Sequence, residues 1–309
     1  MVEKAYAKLN GTYGEIEGGW PKEALVDFSG GCVEGIDFQA IPENLFEIMY
    51  KAGQKGAMMS CTTPGEDQGA TDELGMVPGH AYSITKVIKL ELDGQEHQLI
   101  RVRNPWGNAS EWNGDWSDEH IKALPEEIKD EHGIVDEADG EFYMSINDLL
   151  KNCDAISICH LDIQSEGLLE GSVLGMWTMG ISDGGFENLS GNPQFKVTFE
   201  DADEDDDSMA TVIISLLIKG SRSSLGTIKH QGFAFYRIDD STALPLDADF
   251  LEENEEAGNC HNTGYRKEVK RFKVEPGTFV IIPYVSGGED DTEFYLRVFA
   301  ESQPLLEFL

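Results

Sequence analysis

Positive charge is scarce in this chain. Its 309 residues hold 23 lysines and arginines against 58 aspartates and glutamates, a formal net charge of −35 at pH 7. Binding to nucleic acid rests on Lys and Arg neutralising phosphates, so this balance excludes a nucleic-acid partner and favours divalent cations or basic protein surfaces. Cysteine is sparse too. Cys32, Cys61, Cys153, Cys159 and Cys260 form an odd, widely spaced set with no Cys-x-x-Cys pair, which argues against a disulfide framework and against a zinc site. No apolar run is long enough to span a bilayer, and the start, Met-Val-Glu-Lys-Ala-Tyr, has no apolar core of a signal peptide. These absences together point to a reducing, cytoplasmic setting. The length suffices for two domains of ordinary size.

What is present begins with two helical patterns. Val2, Ala5 and Leu9 fall on one helical face that Asn10-Gly11 would close. Leu45, Ile48, Met49 and Ala52 repeat the spacing just after Pro42, which predicts a second helix over residues 43–52. From Tyr82 the period changes to two, with Ile84, Ile88, Leu90 and Leu92 sharing a parity; Asp93-Gly94 supplies a turn, and Ile100, Val102 and Asn104 alternate on the return. This reads as a long β-hairpin. Beyond about residue 160 only short alternating runs remain, at 194–200, 210–219, 232–239, 271–274, 278–285 and 293–300, separated by Gly, Asn and acidic turns. That spacing predicts an antiparallel sandwich, so the expected fold class is α+β with a boundary between His160 and Gly167.

The hairpin brings two polar residues toward its open end. A reversal at Asp93-Gly94 leaves His80 and Asn104 offset by about three residues, or about 10 Å along the strand. An Asn oxygen accepting from one imidazole N–H would fix the tautomer and leave the second nitrogen to serve a thiol. Trp106, two residues on, would shield that hydrogen bond from water. Taken singly, His80 reads as a structural histidine, Asn104 as a turn former, and Arg103-Asn104-Pro105-Trp106-Gly107 as a strand stopped by Pro and Gly. Their conjunction reads as the base and orienter of a cysteine protease.

The segments Gly79-His80-Ala81-Tyr82-Ser83, Ile100-Arg101-Val102-Arg103-Asn104-Pro105-Trp106-Gly107 and Asp139-Gly140-Glu141-Phe142-Tyr143-Met144-Ser145 resemble the calpain family. The resemblance extends to Lys4-Ala5-Tyr6-Ala7-Lys8-Leu9-Asn10-Gly11 and to Arg297-Val298-Phe299-Ala300-Glu301, so it covers nearly the whole chain. It implies a papain-like second protease subdomain, an antiparallel sheet with helices, followed by the β-sandwich called domain III. The implied limits are 1–28 for the end of the first protease subdomain, 29–160 for the second, 161–303 for domain III and 304–309 for a tail. His80 would be the catalytic base, Asn104 its orienter and Trp106 the indole over the pair. The nucleophilic Cys of the family lies well over a hundred residues before the His, in the first subdomain, so it is expected upstream of residue 1. Cys61 sits in an apolar strand pattern and Cys32 in a Gly-Gly turn, and neither is expected to replace it.

Carboxylates gather near the same hairpin end. Glu111 and Asp118 flank Trp112-Asn113-Gly114-Asp115-Trp116, and Glu137, Asp139 and Glu141 alternate around Gly140. Calcium takes six to eight oxygens, and neither loop has EF-hand spacing. The resemblance implies a calcium ion held by the side chains of Glu111, Asp118 and Asp139, with the Glu141 backbone and Glu137 supporting. Asn108-Ala109-Ser110 makes the first loop one residue longer than is usual in the family. Seven of the eight residues from Glu200 to Asp207 are acidic; the tract resembles the domain III acidic loop, a latch for lysine-rich surfaces or a calcium and anionic-lipid site. The implied activity is calcium-dependent cleavage of cytosolic proteins, with protein substrates and the first protease subdomain as partners; this chain alone should be inert. The alternative is a non-catalytic scaffold that binds calcium, phospholipid or protein.

Overall fold

The computed structural model describes residues 1–36, 38–39, 41–66, 70–107, 111–134, 140–203, 207–220, 230–262, 267–286 and 290–309. Contacts divide the chain into two compact units, one of Met1–Glu23 with Ile163–Leu309, the other of Ala24–Asp162. Among the described residues no helix is long and apolar enough to cross a membrane.

The chain opens with helix α1 (Val2–Asn10). Its predicted apolar face turns outward: Val2 and Leu9 are 64% and 66% exposed, while Ala7 and Asn10 are buried. Asn10 also returns its side-chain amide to the Tyr6 carbonyl, 3.0 Å away, so the buried stripe is a small residue and a self-satisfied polar one rather than the large apolar ones.

In the Ala24–Asp162 unit the elements run α2 (Pro21–Ser29), β1 (Cys32–Ile36), α3 (Leu45–Gln54), β2 (Met58–Thr62), β3 (Ala81–Leu92), β4 (Gln95–Arg103), α4 (Asp118–Lys122), α5 (Glu126–His132), β5 (Glu141–Ser145), α6 (Ile146–Asn152) and β6 (Ala155–His160), the first residues of α2 lying across the division. Cys32, expected in a turn, starts a strand, because Val33 and Cys159 pack with Leu25 and Val26 of α2. The strands form one sheet in the order β1-β6-β2-β3-β4-β5 with every pairing antiparallel. Leu45, Phe46, Met49 and Ala52 of α3, with Ile146 and Leu149 of α6, cover one face against Ile84, Ile100, Val102, Phe142 and Met144. Ile121, Leu124 and Ile134 belong to a second cluster with Ile88, Leu90, Leu99 and Tyr143.

The hairpin turns at Asp93-Gly94 as expected, both residues having positive φ (53° and 75°), the geometry of a two-residue turn that matches strand twist. The parity of β3, however, does not run unbroken. Lys86 faces Arg101, but Ile84 already faces Val102, so Thr85 is an extra residue, a β-bulge. Arg101 Nε donates to the Thr85 hydroxyl at 2.8 Å and pins it. Ile84 therefore belongs to the α3 face while Ile88 and Leu90 belong to the other, which one uninterrupted alternation cannot give.

The larger unit adds β7 (Leu169–Trp177), β8 (Phe195–Phe199), β9 (Ala210–Ile218), β10 (His230–Ile238), α7 (Ala248–Glu253), β11 (Gly258–Asn262), β12 (Lys267–Val274), β13 (Gly277–Ser286), β14 (Thr292–Ala300) and β15 (Glu307–Phe308). They make a four-stranded sheet, β12-β9-β14-β7, and a five-stranded one, β11-β10-β13-β8-β15. Alternate residues of both, among them Val212, Ile214 and Leu216 of β9 and Phe233 and Phe235 of β10, share one core, which makes the unit the expected sandwich. Strands β7 and β11 fall outside the runs recognised by alternation. Residues 304–309, expected as a tail, end in β15, where Glu307 and Phe308 pair with Lys196 and Phe195. Much of the acidic stretch after Asp247 forms α7, whose first turn is capped by Asp247 accepting from the Phe250 N–H at 2.9 Å.

Candidate active site

The bulge decides how His80 meets Asn104. Were the register near the turn continued, Asn104 would face Ser83, putting His80 three residues away and on the opposite face. The extra residue moves the register so that Ser83 faces Arg103; Tyr82 then comes to face Asn104, and His80 lies two residues beyond, on the same face. The gap closes: His80 Nε2 lies 3.1 Å from Asn104 Oδ1.

Both residues are held by backbone bonds. His80 donates its N–H to Thr63 Oγ1 and accepts from the Thr63 N–H, each at 3.0 Å, while Thr63 Oγ1 also donates to the Val77 carbonyl at 2.6 Å. Asn104 is fully buried. Its N–H donates to the Gly140 carbonyl at 2.8 Å, and its Oδ1 receives the Trp106 N–H at 3.1 Å as well as the imidazole. Two donors converge on that atom, which fixes it as the amide oxygen and assigns the imidazole proton to Nε2. The Nδ1 lone pair is then the basic site.

Aromatic rings enclose the imidazole. The Trp106 ring centroid is 4.7 Å away, tilted by 50°, and Tyr82 meets His80 edge to face at 5.1 Å. Trp106 remains 44% exposed, so it forms the wet wall of the site, shielding the Nε2–Oδ1 bond and presenting a π-face to an imidazolium. Tyr82 is its dry floor. Burial pushes the Tyr82 phenol up to about 12 against the lowering effect of the Val77 N–H, which donates to its oxygen at 2.8 Å, so the ring stays a neutral prop. Thr63 and Tyr82 were not assigned roles from the sequence. Tyr82 lies in the very motif that singled out His80, whereas nothing local marks Thr63, whose contact spans 17 residues.

No thiol of the described residues suits that base. None of the five cysteines is in a disulfide. Cys61 lies in β2 beside β3, but it is 1% exposed and packs in the α3 core. The adjoining Cys153 thiol and burial hold it well above the usual thiol range, the reverse of an activated nucleophile. Cys32, Cys153 and Cys159 are buried as well, and burial, reinforced by Glu268, pushes Cys260 up to about 12. Cys61 should therefore resist iodoacetamide at pH 8 in the folded chain and react once the chain is denatured. Native-state labelling at the rate of an exposed thiol, followed by mass spectrometry, would refute this.

The candidate metal ligands are partly placed. Glu111 Oε1 accepts the Gly140 N–H at 2.9 Å, so the Glu111 loop and the loop before β5 do meet. Gly140 thus joins Glu111 on one side to Asn104 on the other. Asp118 is half-buried at the start of α4. The Glu141 carboxylate pairs with Arg101 at 3.2 Å and Arg103 at 3.8 Å, which leaves its backbone as the part suited to a cation. Glu137 and Asp139 lie outside the described residues. In the sandwich, the Asp201, Asp203 and Glu301 carboxylates gather within 4.8 Å of one another, and Glu301 also receives the Ala202 and Thr211 N–H groups at 3.0 and 2.6 Å.

The chain is similar to known proteins along nearly its whole length. The profile described as calpain family cysteine protease matches residues 1–160, and that of calpain large subunit, domain III, matches residues 173–299. Calpain-A of Drosophila melanogaster is 38% identical over 340 aligned positions, which take in 99% of this chain and 41% of that protein. Calpain-B of the same fly is 37% identical, with 99% and 36% covered, and Calpain-9 of Rattus norvegicus is 33% identical, with 100% and 47% covered. The chain thus spans less than half the length of these curated relatives.

Proposed function

The chain belongs to the calpain family of cysteine proteases, and on that premise we propose that it supplies the base half of a peptide-cleaving site whose thiol comes from outside these 309 residues. The observation that carries this reading is the 3.1 Å contact between His80 Nε2 and Asn104 Oδ1 beside the Trp106 indole. With its proton committed to Asn104, His80 takes the proton of the incoming thiol on Nδ1. The thiolate attacks the scissile carbonyl carbon, the imidazolium returns the proton to the departing amine nitrogen, and the C–N bond breaks to leave a thioester. Water, deprotonated by the same Nδ1, then releases the acid and restores the thiol. Asn104 is neutral, so it orients the ring without contributing a charge.

Calcium regulation is part of the reading. Carboxylate and carbonyl oxygens of Glu111, Asp118 and the loop ending at Glu141 suit a hard cation, and Glu111 already reaches that loop. Bound there, a divalent cation would offset the repulsion among these carboxylates. The Gly140 peptide would pass any change in loop position to the Asn104 backbone, and Asn104 Oδ1 would pass it to Trp106. The working compartment is the cytosol, the substrates are proteins, and the tract from Glu200 to Asp207 faces basic protein surfaces or, with calcium, anionic lipid.

Two measurements test this. Calcium titration of the chain should shift tryptophan emission, since Trp106, Trp112 and Trp116 all lie on these loops, and Glu111→Gln should weaken the response at least tenfold; unchanged emission would sink the calcium part. The purified chain should show no peptidase activity. Cleavage that persisted at full rate with a calcium chelator present and required Cys61 would overturn both the thiol assignment and the regulation.

A further inference from the structure

The sandwich holds a pocket of about 670 Å³ with walls of two kinds. One is aromatic. Phe186, His261 and Tyr284 pack with centroids 4.6 Å apart for Phe186 and His261, 5.7 Å for Phe186 and Tyr284, and 5.6 Å for His261 and Tyr284. The rings are tilted to one another by 72°, 51° and 40°, and Tyr284 is buried behind the other two. The rest of the lining is partly acidic: Asp183, Glu187 and Asp290 line the same space, and among the described residues neither a lysine nor an arginine does. No salt bridge engages these three carboxylates among the described residues.

The electrostatics of such a pocket are one-sided. Burial is the largest influence on His261 and lowers its proton affinity, so the ring is neutral near pH 7 and cancels none of the acidic charge. Tyr284 stays a phenol, since burial and nearby acidic groups raise it far above neutrality, and its hydroxyl contacts His261 Nδ1. Phe186 is 51% exposed, so part of its ring is accessible to a ligand. An exposed π-face beside several carboxylates suits a cation that is planar and weakly hydrated. A guanidinium stacks on rings and forms bidentate bonds to carboxylates, whereas an ammonium holds its water more tightly.

We propose that this pocket binds an arginine side chain carried by an extended segment of a partner protein, with Phe186 against the guanidinium plane and Asp183, Glu187 and Asp290 accepting its N–H groups. The volume argues for a peptide source: it falls in the range of about 300–1,000 Å³ that encloses ligands of drug size, far more than one guanidinium fills, so residues flanking the arginine fit as well. The formal charge of −35 draws basic segments toward the chain at long range.

The test is calorimetric titration of the 309-residue chain with acetyl-Ala-Arg-Ala-amide, its citrulline analogue and methylguanidinium. Saturable binding of the arginine peptide is expected. It should weaken at least about tenfold with citrulline, which keeps shape and loses charge, and about fivefold or more in Phe186→Leu and in Asp183→Asn/Glu187→Gln. Equal binding of the citrulline peptide, or no saturable binding, overturns the proposal. Methylguanidinium binding as tightly as the peptide would overturn the peptide source. The citrulline comparison uses the unaltered chain, so it decides the matter even where a variant fails to fold.

Discussion

Asn104→Ala is expected to lower kcat/KM of a protease assembled around this chain by about two to three orders of magnitude, with KM little changed. The carboxamide touches no substrate. It holds the proton of His80 on Nε2, and without it the imidazole is no longer confined to the tautomer and rotamer that aim Nδ1 at the thiol. The same change removes the acceptor of the Trp106 N–H, so the indole that screens the imidazole loses its anchor. Because Asn104 is fully buried, leaving those donors unsatisfied should also cost about 1–3 kcal/mol of stability. Nitrogen-15 NMR of the chain separates the two effects, since the His80 shifts report tautomer whatever the global stability. A variant whose shifts still report Nε2–H alone and whose kcat/KM stays within twofold would refute the orienting role.

Trp177→Ala should destabilise the sandwich by about 3–5 kcal/mol. The indole is 1% exposed at the end of β7, donates its N–H to the Pro283 carbonyl at 3.1 Å, and packs 4.2 Å from the Phe294 ring. Its loss opens a cavity between sheets and strips the carbonyl of a donor. Pro283 itself carries no N–H, and it is tolerated within β13 because pairing with β8 covers only Gly277–Ile281, so none is demanded on that side. Two compact units need not unfold together. The loss is therefore best read from hydrogen exchange of the β9 and β14 amides, where an increase in opening of less than tenfold would show that the core closes over the gap.

Much of this was legible in the sequence because period and turn chemistry act locally. Asp93-Gly94 between two alternating runs gave the hairpin, and six such runs after residue 160 corresponded to sandwich strands. The hairpin brought His80 and Asn104 toward one end, but the bulge that puts them on the same face and closes the gap was not legible. What was illegible depends on distant contacts. Strand β7 was hidden by Gly171 and Gly175, which read as breakers; a Cβ at the first would strike the Pro304 carbonyl and at the second the Phe294 ring, so glycine is there for close approach. Helical spacing says which residues of α1 share a face, not which face is covered; the Val2 and Leu9 side is the uncovered one. Cys32 looked like part of a turn because Gly30-Gly31 precede it, yet pairing with His160 makes it a strand. Thr63 was missed for want of any local mark.

The extra residue in β3 has a consequence for how this hairpin tolerates change. Between the turn and the candidate site, one strand carries one more residue than the other, and that odd count sets which way the imidazole points. A single-residue deletion or insertion in either arm would leave the turn-side cluster around Leu90 and Leu99 in place and reverse everything on the far side of it. Lengths on the two arms are therefore tied: a lineage could lengthen or shorten one strand only with a matching change in the other. The hairpin is in this sense a ruler with a fixed phase, and the base sits at the end that reads it.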